Sequence, residues 1–332
     1  MNLERRLNLL SNLAEYLSKP DAAWLEVKEK VANENPWFIP EFIDFQVSHI
    51  ATEYLDDKKL REWLGRYKAP AEPASPKNVG IVMAGNIPLA GFHDFLAAFL
   101  SGHRQFIKPS SKDHQLIKAV VDKLVDWDNE VKSLVTIAEH LKGCDAYIAT
   151  GSNNSSRYFD YYFSKYPHII RRNRTSAAIL TGNETMSDLE ALADDVYLYF
   201  GLGCRNVTKL YVPIDFDFLP VLESFKRYNW TFDISKYKNN YDYQLAVMMI
   251  NKLYYMTNGS ILLVENKGLF SPVSELHYEV YEDVKEVENF LLSTEDIQCV
   301  VGKDHVPFGM AQKPALDDYA DKADTLQFLR GL

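Results

Sequence analysis

The sequence predicts an α/β protein whose core is a parallel sheet covered on both faces. Three observations predict it. From residue 79 onward, short apolar, β-branched runs alternate with helical segments, the order that builds parallel sheets. The strand runs are apolar throughout rather than alternating, as strands buried on both faces are. And 332 residues, 47% of them hydrophobic and 25% charged, suffice for one large or two medium domains with buried cores.

Residues 1 to 68 read as helices, opening with Leu3, Leu7, Leu10, Leu13 and Leu17 on one stripe. "KAPAEPASPKN", residues 68–78, then breaks the pattern, because Pro70, Pro73 and Pro76 disfavour helix and mark a connector. After it come a strand over 79–85, a helix over 89–102, a strand over 104–110 and a helix over 112–125. Strands over 133–139 and 144–152, a helix over 154–166 and a strand over 176–182 continue the alternation. In the second half a helix from Asp188 runs into "YFGLGCRN", and a strand over 208–214 leaves that loop. Helices near 216–226, 242–254 and 283–292 then separate strands over 260–266, 275–282 and 297–302. Two α/β units with a cleft at strand C-terminal ends is the expected arrangement, since ligands bind there.

A net charge of −10 argues against an electrostatic nucleic-acid binder, which needs a basic face to displace counterions. No apolar run approaches the roughly 18 to 20 residues that span a bilayer. The N-terminal stretch alternates charge with leucine and lacks a signal peptide's apolar core, so a cytoplasmic protein with no membrane span is expected. Cys144, Cys204 and Cys299 are an odd set without CxxC spacing, which predicts neither a disulfide framework nor a metal site.

Cys144 and Cys299 lie in apolar strand patterns, where a free cysteine behaves as a small buried hydrophobe. Cys204 differs. Gly201 and Gly203 leave its backbone open to close approach, and Arg205 beside it would favour thiolate. On these features a structural thiol and a nucleophile both remain open. A second stretch, residues 80–113, combines Asn86 and Pro88 in a turn ahead of a helix with Lys108 at the end of a strand. An asparagine amide there can donate to an oxyanion and a strand-end lysine can hold a ribose or phosphate; a turn asparagine and a solvated lysine are the plain alternatives.

Taken in order, "GNIPL…AFLSGHRQFIKPSS", "AYIATGS" and "GLGCRNVTKLYV" resemble the aldehyde dehydrogenase superfamily, with its Asn-x-Pro turn, Lys-Pro-Ser strand end, Thr-Gly-Ser turn and glycine-flanked cysteine. The resemblance runs from about residue 79 to 213, and "SPVSELHYEVYED" with "VPFGMAQKPALDDYADKADTLQFL" is similar to the later segments of its LuxC-like acyl-CoA reductase branch. It implies an aldehyde-dehydrogenase-like fold with a Rossmann-type cofactor domain and an α/β catalytic domain. Cys204 would be the nucleophile, and Asn86 with the Cys204 backbone amide the oxyanion hole. Lys108 would hold the adenosine ribose of a nicotinamide cofactor, while Gly151 and Ser152 would lie beside the pyrophosphate. Where NAD-preferring relatives carry a glutamate three residues after the lysine, this chain has Ser111, preceded by Ser110 and followed by Lys112. That set would accept a 2′-phosphate, so NADPH is expected, with NADH the alternative.

Two departures from the family pattern matter. Oxidising members use a glutamate about 34 residues before the cysteine to activate the deacylating water; here the region reads "HIIRRNRTSA", with Arg171 near that position. The expectation is therefore reduction of an acyl-CoA, fatty acyl by the resemblance, through a Cys204 thioester to aldehyde. Arg171, Arg172 and Arg174 would meet coenzyme A phosphates or else form a solvated basic strand edge. The segment after Cys204 is also short, so the glutamate that holds the nicotinamide ribose has no secure place; Glu275 and Glu279 are weak candidates, and His277 reads as structural. The expected domains are 1–172 for the helical lead-in and cofactor, 173–305 for catalysis, and 306–332 as a tail whose strand-like character points to a homo-oligomer, a dimer being the simplest. The alternatives are a reductase of acyl phosphates or carrier-bound acyl groups, and a non-catalytic partner protein.

Overall fold

A computed structural model describes residues 1–67 and 72–332, with the backbone alone for Asn153. Lys68, Ala69, Pro70 and Ala71 of the expected connector lie outside the described residues. The chain divides into two compact units, Met1–Asn173 with Ala315–Leu332, and Arg174–Pro314.

The first unit opens with α1 (Leu3–Ser18), α2 (Ala22–Glu34), α3 (Pro40–His49), a π turn over Ile50–Tyr54, and α4 (Asp57–Gly65). Asn2 caps α1 by accepting the Arg5 N–H, and Leu7, Leu10, Leu13 and Leu17 of the expected stripe are buried. There follow β1 (Asn78–Val82), α5 (Phe92–Ser101), β2 (Arg104–Lys108), α6 (Gln115–Trp127), β3 (Val135–Ile137), β4 (Ala146–Thr150), α7 (Asn153–Phe163) and β5 (His168–Arg171). The sheet order is β3-β2-β1-β4-β5, parallel throughout. α5 is buried at every residue but His93, and Phe92, Phe95 and Phe99 are fully buried, each worth about 1.5–3 kcal/mol on leaving water.

The second unit carries β6 (Thr175–Ile179), α8 (Met186–Tyr197), β7 (Val207–Pro213), α9 (Leu219–Phe225), α10 (Ser235–Asn251), β8 (Met256–Thr257), β9 (Leu262–Glu265), β10 (Glu275–Tyr281), α11 (Val284–Ser293) and β11 (Ile297–Val301). Its sheet order is β11-β6-β7-β10-β9-β8, parallel except for the β8–β9 pair. A Thr185–Asp188 capping box starts α8.

Four expectations need correction. α5 starts at Phe92 rather than 89, because Leu89 takes a left-handed φ of 52° that no helix admits. α6 starts at Gln115 rather than 112, which leaves Asp113 in the loop. α10 begins seven residues before the expected 242, and of its apolar residues only Tyr237, Tyr241 and Met248 are buried, so no clean stripe announced it. The tail holds no strand of the expected kind: among its described residues Val306 makes one isolated bridge, and Thr325–Arg330 form helix α12, packed on α5 of the first unit. The strand-like basis for an oligomer is thereby removed.

Candidate active site

The first sheet reverses its strand order between β1 and β4, and ligands of open α/β sheets settle outside strand C-termini at such a point. Asn86, Lys108, Ser110, Ser111, Gly151 and Ser152 all lie at or just beyond the C-terminal ends of β1, β2 and β4, on one edge of the sheet. Asn86 is exposed on the bend between β1 and α5. Three contacts tie that bend to the loop after β2. The Met83 N–H donates to the Lys108 carbonyl at 3.0 Å. A Cβ added at Gly85 would lie 2.4 Å from Ser110 Oγ, so only glycine lets the two segments approach. The Leu89 N–H donates to Asp113 Oδ2 at 2.6 Å. Burial pushes the Asp113 carboxyl up to about 7.

Lys108 is exposed, and its ammonium meets no acceptor among the described residues. Ser111 and Lys112 are exposed at the tip of the loop, whereas Ser110 Oγ is turned inward and accepts the Lys112 N–H at 3.2 Å. Ser152 caps α7 by accepting the Ser155 N–H at 3.3 Å, so the helix amides begin directly after β4, a ready site for an anion.

Arg171 is not available to a phosphate. It is 4% exposed at the end of β5, donates to Asp94 Oδ2 at 2.6 Å and to Thr325 Oγ1 at 2.7 Å, and links the sheet to α5 and α12. Arg172 is exposed and paired with Asp160 at 3.1 Å, and Arg174 donates to the Ile297 carbonyl at 3.4 Å. β5 is an edge strand, so the alternative of a basic strand edge describes Arg172.

In the second unit α8 ends in three consecutive left-handed residues, Tyr199 (φ 55°), Phe200 (φ 55°) and Gly201 (φ 74°). For the two non-glycine residues this costs about 1–2 kcal/mol each. Their side chains are each 1% exposed, and that burial offsets the strain. Cys204 follows, half-buried, in a turn just before β7. Sequence reasoning missed what holds it. Asn206, fully buried, accepts the Gly203 N–H at 2.8 Å and donates through Nδ2 to the carbonyls of Asp195 at 3.1 Å, Val196 at 3.3 Å and Leu198 at 2.8 Å, the unpaired end of α8. Ser176 at the start of β6 donates to the Cys204 carbonyl at 3.1 Å. Cys299 Sγ lies 3.1 Å from the same hydroxyl, whose one proton is already given to Cys204, so the Cys299 thiol donates. No local pattern marks Asn206 or Ser176; an Asn two residues after the cysteine was the available signal.

Beside the loop lies a small cavity of about 20 Å³, room for about one water, lined among others by Phe200, Gly201, Tyr237, Ile261, Ser274 and Glu275. Glu275 is buried against His277 Nε2 at 2.9 Å, and His277 Nδ1 meets the Gly268 carbonyl at 2.8 Å, so the histidine's ring nitrogens are both occupied. Glu279 is paired with the buried Lys209 at 2.8 Å. Burial lowers the Lys209 pKa and the carboxylate raises it, with burial the larger effect.

Comparison with known proteins bears on this arrangement. Two curated relatives are similar to the chain: "Long-chain acyl-protein thioester reductase" from Aliivibrio fischeri, 27% identical over 172 residues, 46% of this chain and 35% of the relative, and "Long-chain acyl-protein thioester reductase 2" from Photobacterium leiognathi, 24% identical over 277 residues, 75% of this chain and 54% of the relative. The chain thus spans about a third to a half of the length of the curated relatives it matches. Aldehyde dehydrogenase 21 from Physcomitrella patens superposes with a TM-score of 0.66 at 13% identity, covering 92% of this chain and 74% of that one. The aldehyde dehydrogenase PutA from Anabaena variabilis does so with a TM-score of 0.65 at 14% identity, covering 93% and 75%. At such identities these likenesses establish the aldehyde dehydrogenase fold. The family model described as acyl-CoA reductase (LuxC) matches residues 48–218, more than half of the sequence, and the chain belongs to that family.

Proposed function

We propose that the protein is an NADPH-dependent reductase of acyl thioesters that carries the acyl group on Cys204 and releases it as aldehyde. The observation that carries this reading is the cysteine loop: a half-exposed thiol on a turn held by Asn206 and Ser176, in a chain of the LuxC family. The Cys204 thiolate attacks the thioester carbonyl. In the arrangement that the family resemblance implies, its backbone N–H and the Asn86 amide would donate to the oxyanion that forms, and the donor sulfur departs as a thiolate. Lys108, Ser111 and the start of α7 at Gly151–Ser152 fit a dinucleotide: the ammonium has no competing acceptor among the described residues, and the helix amides lie at the order reversal of the sheet. A reduced nicotinamide held by Lys108, Ser111 and Gly151–Ser152 would supply hydride to the thioester carbonyl, leaving aldehyde and the Cys204 thiolate. Ser111 and Lys112 at the exposed tip favour a 2′-phosphate, since Asp113, the carboxylate of that loop, is turned inward.

Hydrolysis is disfavoured because Arg171, near the place of the deacylating glutamate, is locked to Asp94 and Thr325 and can activate no water. The same burial removes a contact that coenzyme A would use. Together with the acyl-protein thioester named for both curated relatives, it moves the favoured donor from acyl-CoA to a protein-borne thioester. The long-chain acyl group named for both relatives is the cargo we favour for Cys204.

Intact-protein mass spectrometry without cofactor tests this. A long-chain acyl carrier protein should transfer its acyl group to wild-type protein and not to Cys204→Ser, and NADPH should then release aldehyde. Acyl-CoA should transfer more slowly. Absence of an adduct from any thioester, or full reductase activity in C204S, overturns the reading.

A further inference from the structure

We infer that Asp113 is a positioning residue, whose buried carboxylate clasps the Asn86-bearing turn to the loop after β2 and so sets the site of the oxyanion donor. The inference rests on the reading of Asn86 and Cys204 given above.

The N-cap position of α6 is His114, and Asp113 precedes it. The helix starts without any side-chain cap, and the Asp113 carboxylate reaches across to Leu89, 24 residues away in sequence. The residue it holds is unusual. Leu89 is a buried non-glycine residue at φ 52°, three positions after Asn86, and a left-handed leucine persists only where its surroundings over-determine it. The 2.6 Å bond from its N–H to Asp113 Oδ2 is that constraint. Asp113 is in turn fixed by its own N–H donating to the Ser110 carbonyl at 3.1 Å. With Met83 bonded to Lys108 and Gly85 flush against Ser110, these three ties from the Asn86 turn all land on residues 108 to 113, the segment that carries the proposed cofactor contacts.

The carboxylate is also costly where it stands. It is 5% exposed, and its Oδ1 has no hydrogen-bond partner among the described residues. A purely structural position would be served by a residue that leaves no orphan oxygen. A buried acceptor aimed at one strained amide suits a site in which a turn must not drift, because a displacement of about 1 Å at a reacting group costs on the order of 100-fold in rate.

Single-turnover acylation of Cys204 and the cofactor KM decide the matter in wild type, Asp113→Ala, Asp113→Asn, Asn86→Ala and the N86A/D113A double variant. D113A should slow acylation about 10- to 100-fold, toward the roughly 100-fold loss that deleting an oxyanion donor causes, with cofactor KM moved less than about twofold. D113N, whose amide oxygen still accepts the Leu89 N–H, should stay within about threefold of wild type. The double variant should be no slower than N86A, since both act through one donor. Wild-type acylation in D113A, or full additivity with N86A, overturns the inference. So does failure of both D113A and the milder Asp113→Ser to fold while N86A folds, which would make Asp113 structural. If wild-type protein accepts no acyl group, the functional reading fails first, and amide exchange over Asn86–Leu89 still decides: faster exchange in D113A than in D113N supports the clasp, and equal exchange removes it.

Discussion

Each unit buries one aspartate that accepts backbone N–H groups, and the two are not used alike. Asp195, fully buried on α8, takes the Gly309 N–H on Oδ2 at 2.7 Å and the Ala311 N–H on Oδ1 at 2.9 Å, so its two oxygens are both satisfied. It ties the 309–311 turn to the helix that ends at the cysteine loop. Asp113 satisfies one oxygen on Leu89, and the other has no partner among the described residues. Burial pushes both carboxyls up to about 7, so the two groups share one dielectric setting and differ in how they are bonded. The difference separates scaffold from positioning. A carboxylate with both oxygens filled is stable where it is, whereas a half-filled one is held against a cost by what its single bond accomplishes.

The strongest way to break this contrast is to remove each carboxylate and measure unfolding in urea. Asp195→Ala leaves the buried Ala311 N–H and the half-buried Gly309 N–H without acceptors, at about 1–3 kcal/mol for a buried orphan. A total loss of about 2–4 kcal/mol is expected. Asp113→Ala orphans the Leu89 N–H alone and at the same time relieves an unpaired buried oxygen, so its net cost should stay below about 1.5 kcal/mol. Equal losses in the two variants would show that both aspartates are scaffold.

Much of this arrangement was legible in the residues, and the limits have physical causes. β1, β2 and β4 were read from apolar runs that end at Gly, Pro or Ser, and the resemblance to aldehyde dehydrogenases grouped Asn86, Lys108 and Gly151, which lie at or just past the C-terminal ends of those strands on one edge of the sheet. What stayed hidden depends on contacts distant in sequence. Lys112 and Asp113 look like the first turn of a helix, and nothing local tells that Asp113 turns to Leu89 instead. Arg171 looked free for a phosphate because its partners, Asp94 and Thr325, lie 77 and 154 residues away. Asn206 and Ser176 are ordinary residues until the end of α8 and the Cys204 carbonyl are brought to them. The tail was misread for a related reason: α12 is a six-residue helix whose formation rests on burying Leu326 and Leu329, not on its own propensity.

A smaller effect, in the pH dependence, would sharpen the contrast. For each aspartate the folded-state pKa, about 7, lies above the ordinary 3.8. Such a group contributes fully to stability below the unfolded value, and the contribution is lost as pH rises through the folded one, so unfolding free energy should fall between about pH 4 and pH 7. Asparagine carries no charge to bury. In Asp113→Asn the amide oxygen can keep the Leu89 N–H while the NH₂ takes the place of bare Oδ1, so the variant should match wild type near pH 5 and exceed it by about 1–2 kcal/mol at pH 8. In Asp195→Asn the NH₂ must face either the Gly309 or the Ala311 N–H, donor against donor, so that variant should be less stable than wild type at both pH values. Urea denaturation at the two pH values measures both. A gain at pH 8 in D195N, or none in D113N, would mean that the bare oxygen of Asp113 is not the cost that sets the two sites apart.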